Sequence, residues 1–122
     1  MTTPRTAVLS TSVTIGVPVR DLDAARRWYE SVLELDRPDV EPASGVVEYE
    51  VAGCWLQLFE AEAGGGGWVL RIGVPDLRAE RRRLVGLGIA VGELVEIESV
   101  IAFCDFHDPD GNQLSFYTVL AP

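Results

Sequence analysis

The chain of 122 residues contains no lysine, one histidine and two cysteines, and these scarcities exclude several classes of site. Metal sites built on two or three imidazoles are excluded within one chain, because His107 is the only histidine. No phosphate-binding or dinucleotide-binding glycine motif is present, since residues 64–67 form a glycine run without a following Lys and Ser or Thr. We interpret this run as a flexible linker.

Basic residues are too few to balance the acidic ones. Ten arginines against 19 acidic residues give a net charge of −9. Nucleic-acid binding requires a basic surface, and an anionic membrane attracts basic rather than acidic chains. No apolar run approaches the ~20 residues of a membrane span, and the first ten residues lack the apolar core of a signal peptide. We therefore expect a cytoplasmic protein that binds neither nucleic acid nor membrane.

The two cysteines lie far apart in apolar stretches. Without an export signal, Cys54 and Cys104 are expected to be buried free thiols. A disulfide or a reactive thiol is the alternative.

The two halves of the chain repeat one pattern. Residues 14–22 alternate in polarity and include Asp21, and residues 69–77 do the same and include Asp76. The repeat distance is 55 residues if the two aspartates are matched, and 57 if the two Gly-Val-Pro triplets are matched. Both distances assign the same faces to each strand, because they differ by an even number. We expect this repeat to determine the fold.

A helix is predicted after each of these aspartates, whose carboxylates can accept hydrogen bonds from the first turn. In the first helix the apolar positions are Leu22, Ala25, Trp28 or Tyr29, Val32 and Leu33. In the second helix they are Leu77, Leu84, Val85 and Leu87. Gly88 is the expected C-terminal stop. The arginine run at residues 81–83 is interpreted as a solvated helix face rather than an anion site.

Three strands are predicted after each helix. In the first half they span residues 37–40, 46–51 and 54–60, with a tight turn at Ala52 and Gly53. In the second half they span residues 92–97, 100–106 and 113–119. The segment at residues 108–112 joins the last two and has strong turn chemistry. Each half is thus predicted to be a βαβββ module.

With these elements in place, the sequence resembles the vicinal oxygen chelate superfamily, which includes glyoxalase I, extradiol dioxygenases, fosfomycin-resistance enzymes and bleomycin-resistance binding proteins. The resemblance rests on Val19-Arg20-Asp21-Leu22 after the first strand, on Trp28-Tyr29 and Leu33-x-Leu35 in the first helix, and on Asp108-Pro109-Asp110-Gly111-Asn112-x-Leu114. It extends from about Ser12 to Leu120. It implies one α+β domain in which two tandem modules, at about residues 12–60 and 68–120, form an open, cleft-bearing β-barrel with the helices outside.

Metal-binding members of this superfamily carry His or Glu at four inward positions, which the resemblance places at Thr14, Gln57, Val69 and Ser115. Valine has no donor atom, and the other three side chains are neutral, weak oxygen donors. Zn²⁺, Ni²⁺ and Fe²⁺ prefer imidazole, thiolate or carboxylate. We therefore expect a lost metal site and no cofactor.

Strand alternation extends the wall of the implied cleft, because side chains two residues apart share a face. The further inward side chains are Trp55, Phe59, Arg71, Gln113 and Tyr117. This mainly apolar lining with a few polar groups is typical of a small-molecule site, and ordinary packing of the aromatic side chains is the alternative. Arg71 is expected either to pair with a carboxylate or to face an anion or carbonyl of a ligand.

These observations favour a glyoxalase- or bleomycin-resistance-like protein that binds a small organic molecule in a metal-free cleft. The alternative is a lyase, isomerase or dioxygenase-like enzyme of the same superfamily, with an atypical metal site or acid–base chemistry at His107. An accessory subunit of another protein is a third hypothesis. The resemblance also implies a homodimer, and the edge strand predicted at residues 37–40 would need covering.

Overall fold

The computed structural model describes residues 12–62 and 68–120, which fold into two βαβββ modules. The elements of the first module are β1 (Thr14–Val19), α1 (Leu22–Val32), β2 (Val40–Ala43), β3 (Val46–Val51) and β4 (Cys54–Glu60). Those of the second are β5 (Val69–Gly73), α2 (Leu77–Gly86), β6 (Val95–Ile97), β7 (Ile101–His107) and β8 (Gln113–Val119). The predicted α+β fold is confirmed, and the linker predicted at residues 64–67 lies outside the described residues.

Each module forms one four-stranded sheet with the same topology. The first sheet has the order β1-β4-β3-β2 and the second β5-β8-β7-β6, and only the first pair in each is parallel. Thr14 lies opposite Trp55, and Val69 lies opposite Gln113. These pairs make Thr14 equivalent to Val69, so the repeat distance in the first strands is 55 residues rather than 57.

The helices begin at the predicted N-caps. Asp21 accepts a hydrogen bond from the backbone N–H of Ala24, and Asp76 accepts one from that of Ala79, both at 3.1 Å. In α2 the predicted apolar face is wrong for Leu87, which is 47% exposed, and for Val85, which is 51% exposed. Its side chain is rotated about 100° around the helix from the buried Leu84. Neither helix in the described ranges is long and apolar enough to cross a membrane.

One apolar core is shared by both modules. Its buried side chains include Leu56 and Leu58 of β4, which were predicted to pack under the helices, and Leu114 of β8. The rings of Trp28 on α1 and Phe106 on β7 lie 6.3 Å apart, so the first helix also packs on the second sheet. The opposite face of each sheet, which we call its open face, is turned away from this core.

Arg83 joins the two helices. Its guanidinium donates to the carbonyl oxygens of Ser31 at 3.1 Å and Val32 at 2.6 Å, at the end of α1. It also forms ion pairs with Glu34 at 2.9 Å and Glu80 at 2.8 Å. The interpretation of residues 81–83 as a solvated face is therefore wrong for Arg83, which binds free helix carbonyls.

The turn between β7 and β8 ties the second module to the first. The carboxylate of Asp108, which is 5% exposed, accepts from the backbone N–H groups of Asp110 at 2.9 Å and Asn112 at 2.8 Å. It also accepts from the Asn112 amide at 2.8 Å and from the Tyr29 hydroxyl on α1 at 2.7 Å. The Asn112 amide donates in addition to the Pro18 carbonyl on β1, at 2.9 Å.

Most predicted strands have the expected bounds, and three differ. The strand predicted at residues 37–40 lies at Val40–Ala43, because Pro38 has no N–H and the first hydrogen bond from this segment to β3 comes from Asp39. The strand predicted at residues 92–97 is shortened to Val95–Ile97. The strand predicted at residues 100–106 lies one residue later.

Candidate functional site

The open faces of the two sheets carry the side chains that were predicted to line a cleft. In β4 the half-buried side chains on this face are Trp55, Gln57 and Phe59. In β8 they are Gln113 and Tyr117, both half-buried, and Ser115, which is fully buried. The neighbouring strands β1 and β5 add Thr14, Val69 and Arg71, which lie opposite Trp55, Gln113 and Ser115.

The side chains at the four positions where metal-binding members of the superfamily carry ligands are not suited to bind a metal ion. Thr14 is exposed, Val69 has no donor atom, and the amide of Gln57 donates to the Glu48 carboxylate at 2.9 Å. Neutral oxygens of this kind are poor ligands for Zn²⁺, Ni²⁺ or Fe²⁺. Within residues 12–62 and 68–120, no group of three or more His, Cys, Asp or Glu side chains is arranged to hold a metal ion.

Three carboxylates on the open faces were not singled out as lining residues by the sequence. On β3, Glu48 lies opposite Gln57 and Glu50 lies opposite Trp55. On β7, Asp105 lies opposite Ser115. The Oδ1 atom of Asp105 is buried and has no hydrogen-bond partner among the described residues. The length of each hairpin turn was the signal that could have found them, because it fixes which residues face each other across the strands.

Arg71 on β5 contributes a positively charged side chain to the open face of the second sheet. Its side chain is exposed, and its Nη1 atom lies 3.5 Å from the Ser115 hydroxyl, a weak contact at the limit of a hydrogen bond. It forms no ion pair within the part of the chain that the structure describes. Of the two expectations for Arg71, pairing with a carboxylate of these residues is therefore wrong.

A pocket of about 200 Å³ lies where the two sheets meet. Its walls come from β1, from β4 and the turn before it, from the end of α1, and from β5 and β8. Apolar side chains form most of the wall, and they include Ile15, Leu33, Leu56, Leu70 and Ile72. Trp55, Arg71 and Tyr117 are the predicted site residues that line it, so the structure brings these three together. The other predicted residues lie outside its wall.

Two glycines shape the open faces by leaving room for aromatic rings. A Cβ atom on Gly16 would lie 3.2 Å from Phe59, and one on Gly73 would lie 3.2 Å from Tyr117. Both distances are tighter than ordinary van der Waals contact, so each ring occupies space that a side chain would need. The position of Tyr117 at the pocket therefore depends on the absence of a side chain at residue 73.

His107 is exposed at the end of β7, opposite Gln113. Ser115 lies opposite Asp105 instead, which makes it only a diagonal neighbour of His107. The neighbouring Asp108 carboxylate is already occupied by four hydrogen bonds. Among the described residues, neither Ser115 nor the Asp108 carboxylate is thus placed to support acid–base chemistry at His107.

The two thiols are free, as expected. Cys104 is buried in the core, and burial raises the pKa of its thiol, which disfavours the reactive thiolate. Cys54 is only half-buried and lies in the wall of the pocket.

A wider depression of about 380 Å³ lies outside α2, far along the chain from the predicted site. Arg78, Arg81, Arg82, Glu93 and Leu94 line it. Four of these five side chains are charged, and a single leucine offers little apolar surface. This wall does not have the mainly apolar character of a small-molecule site.

The family of the chain follows from comparison with known proteins. Residues 11–116 match the model of the Glyoxalase/Bleomycin resistance protein/Dioxygenase superfamily, and the chain belongs to this superfamily. No functionally curated protein matches the sequence.

Solved structures show the same fold. A glyoxalase/bleomycin resistance protein from Catenulispora acidiphila is 25% identical, with a TM-score of 0.74 over 90% of this chain and 99% of that one. A lactoylglutathione lyase from Agrobacterium tumefaciens is 20% identical, with a TM-score of 0.75 over 92% and 96%. TnmS3, an antibiotic binding protein from a Streptomyces species, is 21% identical, with a TM-score of 0.75 over 93% and 99%. Enzymes and binding proteins thus share this fold, and the side chains of the site must distinguish them.

Proposed function

We propose that this protein binds a small organic molecule in the pocket between its two sheets, without a metal ion. The observation that carries the proposal is the combination of a mainly apolar pocket with uncharged side chains at Thr14, Gln57, Val69 and Ser115. The apolar wall supplies burial, and Arg71 and Tyr117 supply polar contacts, which is the usual composition of a ligand site. The similarity to an antibiotic binding protein supports the same function.

Metal content is the first test. We expect native mass spectrometry of protein purified without chelator to show no transition metal at one per chain. Zn²⁺ or Ni²⁺ should also leave the melting temperature unchanged, because an ion that binds the folded state would raise it. A stoichiometric, tightly held metal would contradict the proposal and favour the enzymatic alternative.

Ligand binding is tested in the same preparation by a thermal-shift screen of small organic molecules. A compound that binds in the pocket should raise the melting temperature of the wild type and lose this effect in Trp55→Ala, which removes one pocket wall. The matched control is Arg82→Ala on the outside of α2, which should keep the effect. A shift that persists in Trp55→Ala would place the compound elsewhere.

The proposal includes a homodimer in the cytoplasm. Free thiols at Cys54 and Cys104 favour a reducing compartment. Exposed apolar side chains at one edge of the second sheet favour self-association, and they are Val95, Ile97, Val100, Val119 and Leu120. Ile97, Ile101 and Val119 form one row across its strands, with β6 as an unpaired edge strand in the described part of the chain.

Light scattering should accordingly give twice the chain mass of 13.3 kDa. Ile97→Asp should reduce the mass to that of one chain, because a charge in an apolar interface is not compensated. Val85→Asp is the matched control, since Val85 is 51% exposed but lies on α2. A wild-type mass of one chain would contradict the dimer.

A further inference from the structure

Arg71 places a positive charge in a pocket wall that is otherwise uncharged. It lies on β5 between Leu70 and Ile72, which also line the pocket. Tyr117 and Trp55 are the aromatic side chains of this wall, and the wall contains no Asp or Glu. A guanidinium ion that stands beside an apolar surface without a carboxylate lacks its most favourable partner.

The acidic side chains on the open faces do not supply that partner. The carboxylate of Glu48 accepts a hydrogen bond from Gln57, and Glu50 forms no ion pair within the described residues. Asp105 lies in the same row as Arg71, with Ser115 between them. The Cα atoms of Arg71 and Asp105 are therefore two strand spacings, or about 10 Å, apart. Arg71 thus has no carboxylate partner among the described residues.

Three of the nine arginines in the described residues form ion pairs, so the lack of one does not by itself distinguish Arg71. Arg20 forms an ion pair with Asp110, Arg26 with Glu30, and Arg83 with Glu34. Arg71 is distinguished from the paired and the unpaired arginines alike by its place in the wall of the pocket, where its polar neighbour is the Ser115 hydroxyl. Its position therefore suits the anionic group of a bound molecule.

We infer that the molecule bound in this pocket is a small apolar monocarboxylate, whose carboxylate pairs with Arg71 while its hydrocarbon part fills the pocket. This inference rests on the proposed ligand-binding function. One guanidinium can bind one carboxylate through two parallel hydrogen bonds. A cavity of about 200 Å³ with aliphatic and aromatic walls suits one ring or a branched chain. The net charge of −9 opposes ligands with several negative charges.

Three probes with the same ring test the charge preference. Phenylacetate, phenylacetamide and phenethylamine are anionic, neutral and cationic, and their dissociation constants can be measured by calorimetry or ligand-detected NMR. The wild type should bind phenylacetate at least about tenfold more tightly than phenylacetamide, the factor expected for a charge-assisted contact. Phenethylamine should bind more weakly than either, because Arg71 repels it.

The variant Arg71→Gln should bind phenylacetate as weakly as phenylacetamide and leave the affinity for phenylacetamide unchanged. Its melting temperature should equal that of the wild type, since the Arg71 side chain is exposed and forms no ion pair with the described residues. Arg78→Gln, which changes an arginine of the depression outside α2, is the matched control and should retain the preference.

Equal affinities of the wild type for phenylacetate and phenylacetamide would overturn the inference and leave the proposed function intact. An Arg71→Gln variant that keeps the preference would do the same. If none of the three probes binds, the inference is wrong, and the thermal-shift screen with Trp55→Ala decides separately whether the pocket binds other molecules.

Discussion

Replacing Asp108 with alanine is expected to destabilise the protein by about 4 kcal/mol, the largest effect of any single substitution considered. The change would leave the Tyr29 hydroxyl and the Asn112 amide without their shared acceptor inside the protein. It would also remove the acceptor of two backbone N–H groups in the turn. Each buried donor left unpaired costs about 1–3 kcal/mol, and hydrogen bonds to a charged acceptor lie at the upper end. Urea unfolding at pH 7 measures the loss.

Two further variants separate this network from a general effect of losing a carboxylate. Tyr29→Phe removes only one of the four hydrogen bonds and should cost about 1.5 kcal/mol. Asp36→Ala removes an exposed carboxylate in the loop after α1 and should change the free energy of unfolding by less than about 0.5 kcal/mol. A loss below about 1 kcal/mol in Asp108→Ala would show that the turn is not held by this carboxylate.

Alkaline pH should destabilise the protein through its two fully buried tyrosines. Burial, and then the charge and hydrogen bond of Asp108, raise the pKa of Tyr29 well above its ordinary value of about 10. Burial, and then the hydrogen bond and charge of Glu30, raise the pKa of Tyr49 in the same direction. A hydroxyl whose pKa is higher in the folded protein contributes its full stabilisation at pH values below its pKa in the unfolded chain. This contribution is lost as the pH rises above about 10.

The size of this loss follows from the unfolded chain, in which both hydroxyls ionise near pH 10. At pH 11 each tyrosine should cost about 1.4 kcal/mol relative to pH 8, or about 3 kcal/mol together. Cys104, whose thiol pKa is also raised by burial, adds to the loss in the same direction from about pH 9. Denaturant unfolding at the two pH values measures the difference.

Single tyrosine variants show how much of the stability loss at alkaline pH comes from each hydroxyl. Tyr29→Phe and Tyr49→Phe should each reduce the difference between pH 8 and pH 11 by about 1.4 kcal/mol, even though each variant is less stable at pH 8. Variants that keep the full wild-type difference would show that neither hydroxyl is protected from ionisation in the folded protein.

The sequence predicted the elements that depend on local chemistry. Asp21 and Asp76 cap the helices because short carboxylates accept from the first turn, and both were expected to do so. The turn at Ala52 and Gly53 was expected from residue type, and both residues have positive φ angles, 49° and 82°. Strands β3, β4 and β8 have the predicted bounds because each is a short run rich in apolar residues that is flanked by turn residues.

The features that the sequence did not predict depend on contacts between the modules. Arg83 binds the end of α1, which lies in the other module, and no local pattern distinguishes it from the exposed Arg82. The pocket likewise forms only where β1 and β4 meet β5 and β8. The placement of Arg71 on an open face followed from alternation, whereas its lack of an ion pair in the described residues depends on side chains of neighbouring strands, which no local pattern specifies.

The duplicated modules differ chemically at several equivalent positions, and one pair bears directly on the charge of the site. Gly16 lies opposite Gln57 in the first sheet, as Arg71 lies opposite Ser115 in the second. The fold repeats, but the guanidinium occurs on only one of the two walls. The approximate symmetry of the two modules is therefore broken in the pocket wall, where a ligand would contact the protein. An asymmetric ligand would meet two different surfaces and would bind more favourably in one orientation than in the reverse one. The difference between the two modules at this position, rather than their duplication, would therefore set the direction in which a ligand enters the site.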